Sequence, residues 1–137
     1  MTLTRPALKL THVAALKLLD AAVAKAASMG QPQCIAIVDE GCNLLASIRM
    51  DGGRVLSMDS ARHKAETAAA TGRPTGGTEE PLGARLAAAT GGRVTNLKGG
   101  VPIIVDGFVV GGIGVGSGTG DQDREVAEAA IAAVFGG

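Results

Sequence analysis

Residues 99–123 read GGVPIIVDGFVVGGIGVGSGTGDQD, and this stretch decides the fold. Two apolar, β-branched runs, Val101 to Val105 and Phe108 to Val115, flank Asp106-Gly107. That pair readily takes the positive φ angles of a two-residue hairpin turn, so the spacing predicts an antiparallel hairpin. The second run passes into alternating glycines. Thr119 then stands three residues before Gln122, the pattern of a capping box, and opens an Ala-rich helix to about Val134. A glycine-lined strand therefore delivers the chain to a helix N-terminus.

Working outward, Thr11 caps a long helix whose apolar residues Val13, Leu16, Leu19, Val23 and Ala26 recur at helical spacing, and Gly30 ends it. A short extended segment, Ala7 to Leu10, precedes it. Gln33 to Val38 and Asn43 to Met50 form a first hairpin around Asp39-Glu40-Gly41-Cys42, with the polar loop Asp51-Gly52-Gly53 behind it. Ser57 or Asp59 caps the next helix, which runs to about Thr71 and stops at Gly72 and Pro74. A shorter helix covers Glu79 to Ala89, with Pro81 in its first turn. The order is β-α-β-β-α-α-β-β-α, and the hairpins favour an antiparallel sheet. At 137 residues this is one α+β domain spanning 1–137.

Composition narrows the partners. The 13 basic and 13 acidic residues cancel, and no Lys/Arg run offers a nucleic-acid surface. No apolar run approaches the roughly 20 residues that span a bilayer, and Met1 to Leu10 lacks the apolar core of a secretory signal. The expectation is a cytoplasmic protein that meets small molecules or copies of itself. Ala is abundant, Gly numbers 21, and Phe108 and Phe135 are the only aromatics. Small side chains bury little apolar area, which makes association of subunits a further source of stability. Pairing Val38 with Asn43 in the first hairpin sets Cys34 opposite Ser47 rather than Cys42, so two reduced thiols are expected.

The glycine-rich stretch contains neither GxGxxG nor GxxxxGK[ST], and a hairpin precedes it rather than half of a βαβ unit, which argues against nucleotide binding. Two readings stand. The glycines permit close backbone packing or a bulge, or Gly112, Gly114 and Gly116 clear space for a ligand carboxylate to reach the helix start at Gly120 to Gln122. A second candidate region joins Arg49-Met50-Asp51-Gly52 to Ser57–Thr67. On a helix, Met58, Ala61, Ala65 and Ala68 share one stripe and Ser60, His63, Lys64 and Thr67 another, so one side packs and the other is polar. Arg62 and Glu66 read as a solvated i,i+4 pair. Asp59 stands one turn before His63, where its carboxylate favours imidazolium. His12, in the first turn of the long helix, reads either as a neutral metal ligand or as an exposed residue beside the Thr11 cap. HExxH, His/Cys clusters and GxSxG are absent, which leaves zinc-protease and serine-hydrolase chemistry without a basis.

Taken together, RMDG at 49–52, HKAETA at 63–68, GGVPIIVDGFVVGGIGV at 99–115 and Gln122-Asp123 resemble the GlcG/HbpS-like family, which includes the C-terminal domain of PduO-type proteins. IAIVDEGCNLLA at 35–46 is similar to that family's opening hairpin. The resemblance covers nearly the whole chain and is specific in combination. It implies a five-stranded antiparallel sheet with helices packed on it, and homo-oligomers, often octamers. It also implies haem or a related tetrapyrrole as ligand, with His12 and His63 as candidate iron ligands. The candidate ligand-binding set is Arg49, Asp51, His63, Lys64, Gly112, Gly114, Gly116 and Gln122. An alternative is a catabolic enzyme, an isomerase, lyase or hydrolase acting on a small carboxylate. Arg49 would then bind the carboxylate, His63 or Lys64 would move a proton, and the helix start would stabilise developing negative charge. A third reading is a scaffold subunit whose polar helix face forms oligomer contacts.

Overall fold

The structure is a computed structural model and describes residues 1–136. Four helices and four strands follow in the order α1 (His12–Ser28), β1 (Cys34–Asp39), β2 (Leu44–Arg49), α2 (Ser57–Thr71), α3 (Leu82–Ala89), β3 (Gly100–Val105), β4 (Phe108–Gly116) and α4 (Gly120–Phe135). The strands form one antiparallel sheet in the order β2-β1-β4-β3. The fifth strand expected at Ala7 to Leu10 does not form. That segment pairs with no strand; Leu10 is buried in the core, while Lys9 reaches Glu40 (2.5 Å) and Asp39 (3.7 Å) at the β1–β2 turn. Leu10 and the Lys9 ion pairs anchor it in place of a backbone ladder.

Period-2 alternation sends alternate side chains of the central strands to opposite faces of the sheet. Ile35, Ile37, Ile113 and Val115 meet α1 and α4 through Leu18, Ala22, Ala26, Val126 and Ala130. Cys34, Ala36 and Val38 meet α2 through Ala61, Ala65 and Ala69. The molecule is thus three-layered, with α1 and α4 on one face and α2 on the other. Gly112 and Gly114 explain how α2 comes so close. A Cβ on Gly112 would stand 2.2 Å from the Ala65 carbonyl oxygen, and one on Gly114 would stand 1.9 Å from that of Ala61. Only glycine allows helix backbone to lie directly on strand backbone there, so these two glycines act in packing.

Local signals were mostly accurate. Asp106 (φ 51°) and Gly107 (φ 80°) form the expected tight turn. Thr119 and Gln122 complete the capping box, Thr11 accepts from the Ala14 N–H, and Gly30 turns left-handed just past α1. Three expectations change. The first hairpin pairs Val38 with Leu44, one residue from the expected register at the turn, and a bulge between Ile37 and Val38 adds a second residue, so that Cys34 pairs with Arg49; the cysteines are nonetheless free. Neither Ser57 nor Asp59 caps α2, whose N-cap is Leu56 without a side-chain bond. The short helix begins at Leu82, leaving Pro81 as its N-cap residue. No helix is long and apolar enough to cross a membrane among the described residues.

Candidate functional site

Where the first turns of α2 and α4 approach each other across the end of the sheet, an open cleft of about 250 Å³ is lined by Arg54, Ser57, Ser60, Lys64, Lys98, Ser117, Gly118, Gly120 and Asp123, with Leu97 as its apolar wall. At its floor lies a buried ion pair. Lys64 Nζ donates to Asp123 Oδ2 at 3.0 Å and to the Val115 carbonyl at 2.8 Å, and both side chains are almost wholly buried. The expected polar stripe of α2 is therefore interior at this point. Gly99 and Gly100 make room for it: a Cβ on Gly100 would stand 2.3 Å from the Lys64 carbonyl oxygen, and one on Gly99 would stand 3.1 Å from Lys64 Nζ. The pair ties α2 to α4, helices on opposite faces of the sheet. A lysine buried in this way is tolerable only because both its carboxylate and its carbonyl partner replace lost water.

The cleft's upper walls are polar backbone and cations. Asp123 Oδ1 accepts from the Gly118 N–H at 2.9 Å, holding the strand exit against the start of α4. Ser117, in a left-handed conformation (φ 86°), accepts from the Arg54 N–H at 2.9 Å through its hydroxyl, which also lies 3.6 Å from the Cys34 thiol. This fixes the loop that carries Arg54 to the rim. Lys98 donates to Asp121, and that hydrogen bond, with the charge behind it, holds the exposed Asp121 carboxyl below the usual carboxylate range. Exposed Leu97 lines the cleft, and exposed Val55 and Leu56 lie between Arg54 and Ser57 in the chain. The result is a small cationic hollow, at the N-terminus of a sixteen-residue helix, beside apolar side chains.

Of the residues singled out in the sequence, Lys64 lines this cleft and Gly116 lies beside it, within reach of the Ser57 carbonyl and Ser60 hydroxyl. Gln122 is consumed by the cap, its Oε1 accepting from the Thr119 N–H at 2.9 Å. Arg49 is exposed and its guanidinium reaches the Gly53 carbonyl at 3.4 Å, bracing the loop before Arg54; Asp51 is exposed at the turn. His63 is half-buried against Gly92 and does not line the cleft, because it points about 100° around α2 from Lys64. His12 is exposed on α1, on the other face of the sheet from His63. Glu66, expected in solvent, is buried and bonds Arg93 Nε at 2.7 Å, with Arg62 at 3.8 Å. Sequence reasoning missed Arg54, Ser117, Lys98 and Asp123 as site residues, and had Ser57 and Ser60 only as a candidate helix cap and as part of the polar stripe of α2. Asp123 stood within the quoted Gln122-Asp123 motif, but no spacing signals a partner 59 residues away.

Comparison with known proteins agrees with this architecture. A family model described as haem degrading protein HbpS-like matches residues 10–132. The GlcG protein of Escherichia coli strain K12 is 43% identical over 82 residues, covering 59% of this chain and 61% of that one. The crystal structure of HbpS superposes with a TM-score of 0.81 at 37% identity, covering 98% of this chain and 96% of the other. The crystal structure of a PduOC:heme complex gives a TM-score of 0.86 at 28% identity, covering 93% and 96%. The cleft and the sheet beneath it lie within the matched residues, and this chain belongs to the haem degrading protein HbpS-like family.

Proposed function

We propose that this protein is an oligomeric small-molecule-binding protein whose ligand is haem or a related tetrapyrrole, with the carboxylate-bearing edge of the ligand at the α2–α4 cleft. The observation that carries this reading is the pairing, in one place, of a cationic hollow with an exposed apolar side chain: Arg54 and Lys98 beside Leu97, with exposed Val55 and Leu56 following Arg54 in the chain. A haem is an apolar disc with two propionates on one edge. The propionates suit guanidinium, ammonium and the free N–H groups of a helix start, and the macrocycle suits leucine and valine. At about 250 Å³ the hollow is below the roughly 300–1,000 Å³ of sites that enclose a ligand, so the ring lies over its rim. A site open in this way is completed by a second copy of the chain. The apolar groove between β3 and α4, with Ile104 and Phe135 exposed, supports a homo-oligomer, for which the family resemblance suggests an octamer. The likeness in fold to a protein solved with haem supports the same ligand class.

Bound haem would supply an iron centre, for which protein histidines are the candidate ligands. His63 is on the cleft's own helix, whereas His12, on the opposite face, reaches the same haem only from another copy. Titration with haemin, followed in the Soret band, tests the reading. Saturable binding is expected, weakened about tenfold or more in Arg54→Glu/Lys98→Glu, with an altered spectrum in His63→Ala or His12→Ala. An unsaturable signal, or equal affinity in the charge-reversed variant, refutes it.

A second reading rests on Lys64 at the floor of the same cleft, bonded to Asp123 in the first turn of α4: an isomerase, lyase or hydrolase acting on a small carboxylate. It is distinguished by turnover of such an acid that is lost in Ser60→Ala and Ser117→Ala while haemin binding persists.

A further inference from the structure

The helix α3 stands apart from the rest of the molecule. Among the described residues it comes into close backbone range of no other helix or strand, and Leu82 on it is exposed. It belongs to an excursion, residues 78–95, that leaves the body after α2 and returns before β3. At the base of this excursion, Thr78 and Asn96 are bonded to each other, N–H to Oδ1 at 2.9 Å and Nδ2 to carbonyl at 2.6 Å. Thr75 closes the base below them, donating its N–H to the Gly100 carbonyl and its hydroxyl to that of Leu97, and accepting from the Gly100 N–H.

Beyond the base, the hydrogen bonds and ion pairs that hold the excursion to the body converge on two consecutive residues of α2. Glu66 accepts from Arg93 Nε at 2.7 Å and Nη2 at 2.5 Å. The Thr67 hydroxyl donates to the Arg93 carbonyl at 2.7 Å and accepts from the Thr95 N–H at 2.9 Å. The Glu66 carboxylate in turn holds the Arg93 guanidinium above its ordinary pKa. On either side of these ties lies a cavity of about 330 Å³, one running under Leu82 and Leu86, the other bounded by Cys42, Ala70 and Thr90, and Val94 is common to both. One glycine pair sits where a hinge would need it, and a second lies inside the excursion. Gly76 (φ 99°) and Gly77 precede the excursion's first tie, and Gly91 (φ 63°) and Gly92 (φ 86°) lie just before Arg93.

We infer that residues 78–95 are a strap that opens as a unit, pivoting at Gly76-Gly77, and that the Glu66–Arg93 pair with Thr67 is its latch. The apolar contact that would otherwise weld such a segment to the core is missing, so its closure depends on a handful of polar bonds. Segments of this kind open at free energies well below global unfolding. Opening joins the two cavities into one groove along α2 and uncovers Glu66 and Thr67, which the closed form buries.

Amide hydrogen exchange tests this directly, because the Thr95 N–H is itself one of the latch bonds. In Glu66→Gln, which keeps the shape but removes the charge, the Thr95 amide is expected to exchange about tenfold faster or more, with β1 amides unchanged. Gly77→Ala adds a methyl that meets nothing within 4 Å and restricts the hinge; it is expected to slow exchange of the Thr95 amide about two- to fivefold. Modification of the half-buried Cys42 thiol by a disulfide reagent supplies a second reading, since Cys42 borders the cavity beside Glu66 and Arg93 while Cys34 is fully buried. Acceleration at Cys42 alone supports the strap. Equal acceleration at Cys34, exchange of Thr95 in step with β1, or no response of Thr95 to Glu66→Gln overturns it.

Discussion

Replacing Gly114 by alanine tests the central packing claim. Its Cβ would lie 1.9 Å from the Ala61 carbonyl oxygen and 2.5 Å from the Ala65 nitrogen, some 1.5 Å short of the 3.4 Å at which ordinary contact begins. Both obstructing atoms are helix backbone, so no side chain can rotate out of the way. Relief requires lifting α2 from β4 and β1, which loosens Ala36, Ala61 and Ala65. A gap of 0.5–1 Å already forfeits about a quarter to a half of each dispersion contact, and inserted methylenes cost about 1–3 kcal/mol where neighbours adjust. With backbone on both sides the upper end applies, about 3 kcal/mol, or roughly 10 °C in Tm for a domain of this size. Urea unfolding and thermal melts at one fixed protein concentration measure it, with Gly77→Ala as the control in open space. A Gly114→Ala protein within about 0.5 kcal/mol of the parent would refute direct backbone-on-backbone packing.

The buried ion pair and the first hairpin turn give two further outcomes. Lys64→Met leaves the Asp123 carboxylate buried without its cation and is expected to cost about 3–5 kcal/mol in urea unfolding, whereas Lys64→Met/Asp123→Leu recovers most of that loss; a double variant as unstable as the single would show that the pair is not the reason. At the turn, burial pushes the Asp39 carboxyl up, but the backbone and side-chain amides of Asn43, the Gly41 N–H and the Lys9 charge outweigh it, and the net shift is downward. Because the native carboxyl is the stronger acid, its contribution is complete above the unfolded value near pH 4 and is lost as pH falls through the lower native value. Acid titration followed by circular dichroism should therefore show less loss of stability below pH 4 in Asp39→Asn than in the parent, and identical profiles would remove Asp39 from the acid response.

How far each feature could be read depends on the range of the interaction behind it. The Asp106-Gly107 turn, the Thr119–Gln122 box and the Thr11 cap rest on bonds between residues at most three apart, so adjacent side chains suffice to specify them. The one-residue longer turn and the bulge that together moved Cys34 from Ser47 to Arg49 arise from pairing between whole strands, which residue types in one strand do not encode. Polar spacing on α2 suggested a solvated face, yet Lys64, Glu66 and Thr67 are buried because β1, β3, β4 and the strap surround that helix, and Asp123 of α4 reaches Lys64.

Sequence alone therefore determined the element types, the two hairpins, the helix starts that carry side-chain caps and, through the RMDG, HKAETA and GGVPIIVDG motifs, the family. These follow from backbone dihedral preference, hydrophobic period and short-range hydrogen bonding, all of which act between neighbours. Tertiary structure alone decided that there are four strands, that Gly112 and Gly114 seat a helix, and that Lys64 meets Asp123 at the floor of a cleft rimmed by Arg54 and Lys98. Those outcomes depend on which layers come together and on how closely. A buried charge is fixed by whatever partner the packing brings within about 3 Å, and that partner can lie anywhere in the chain.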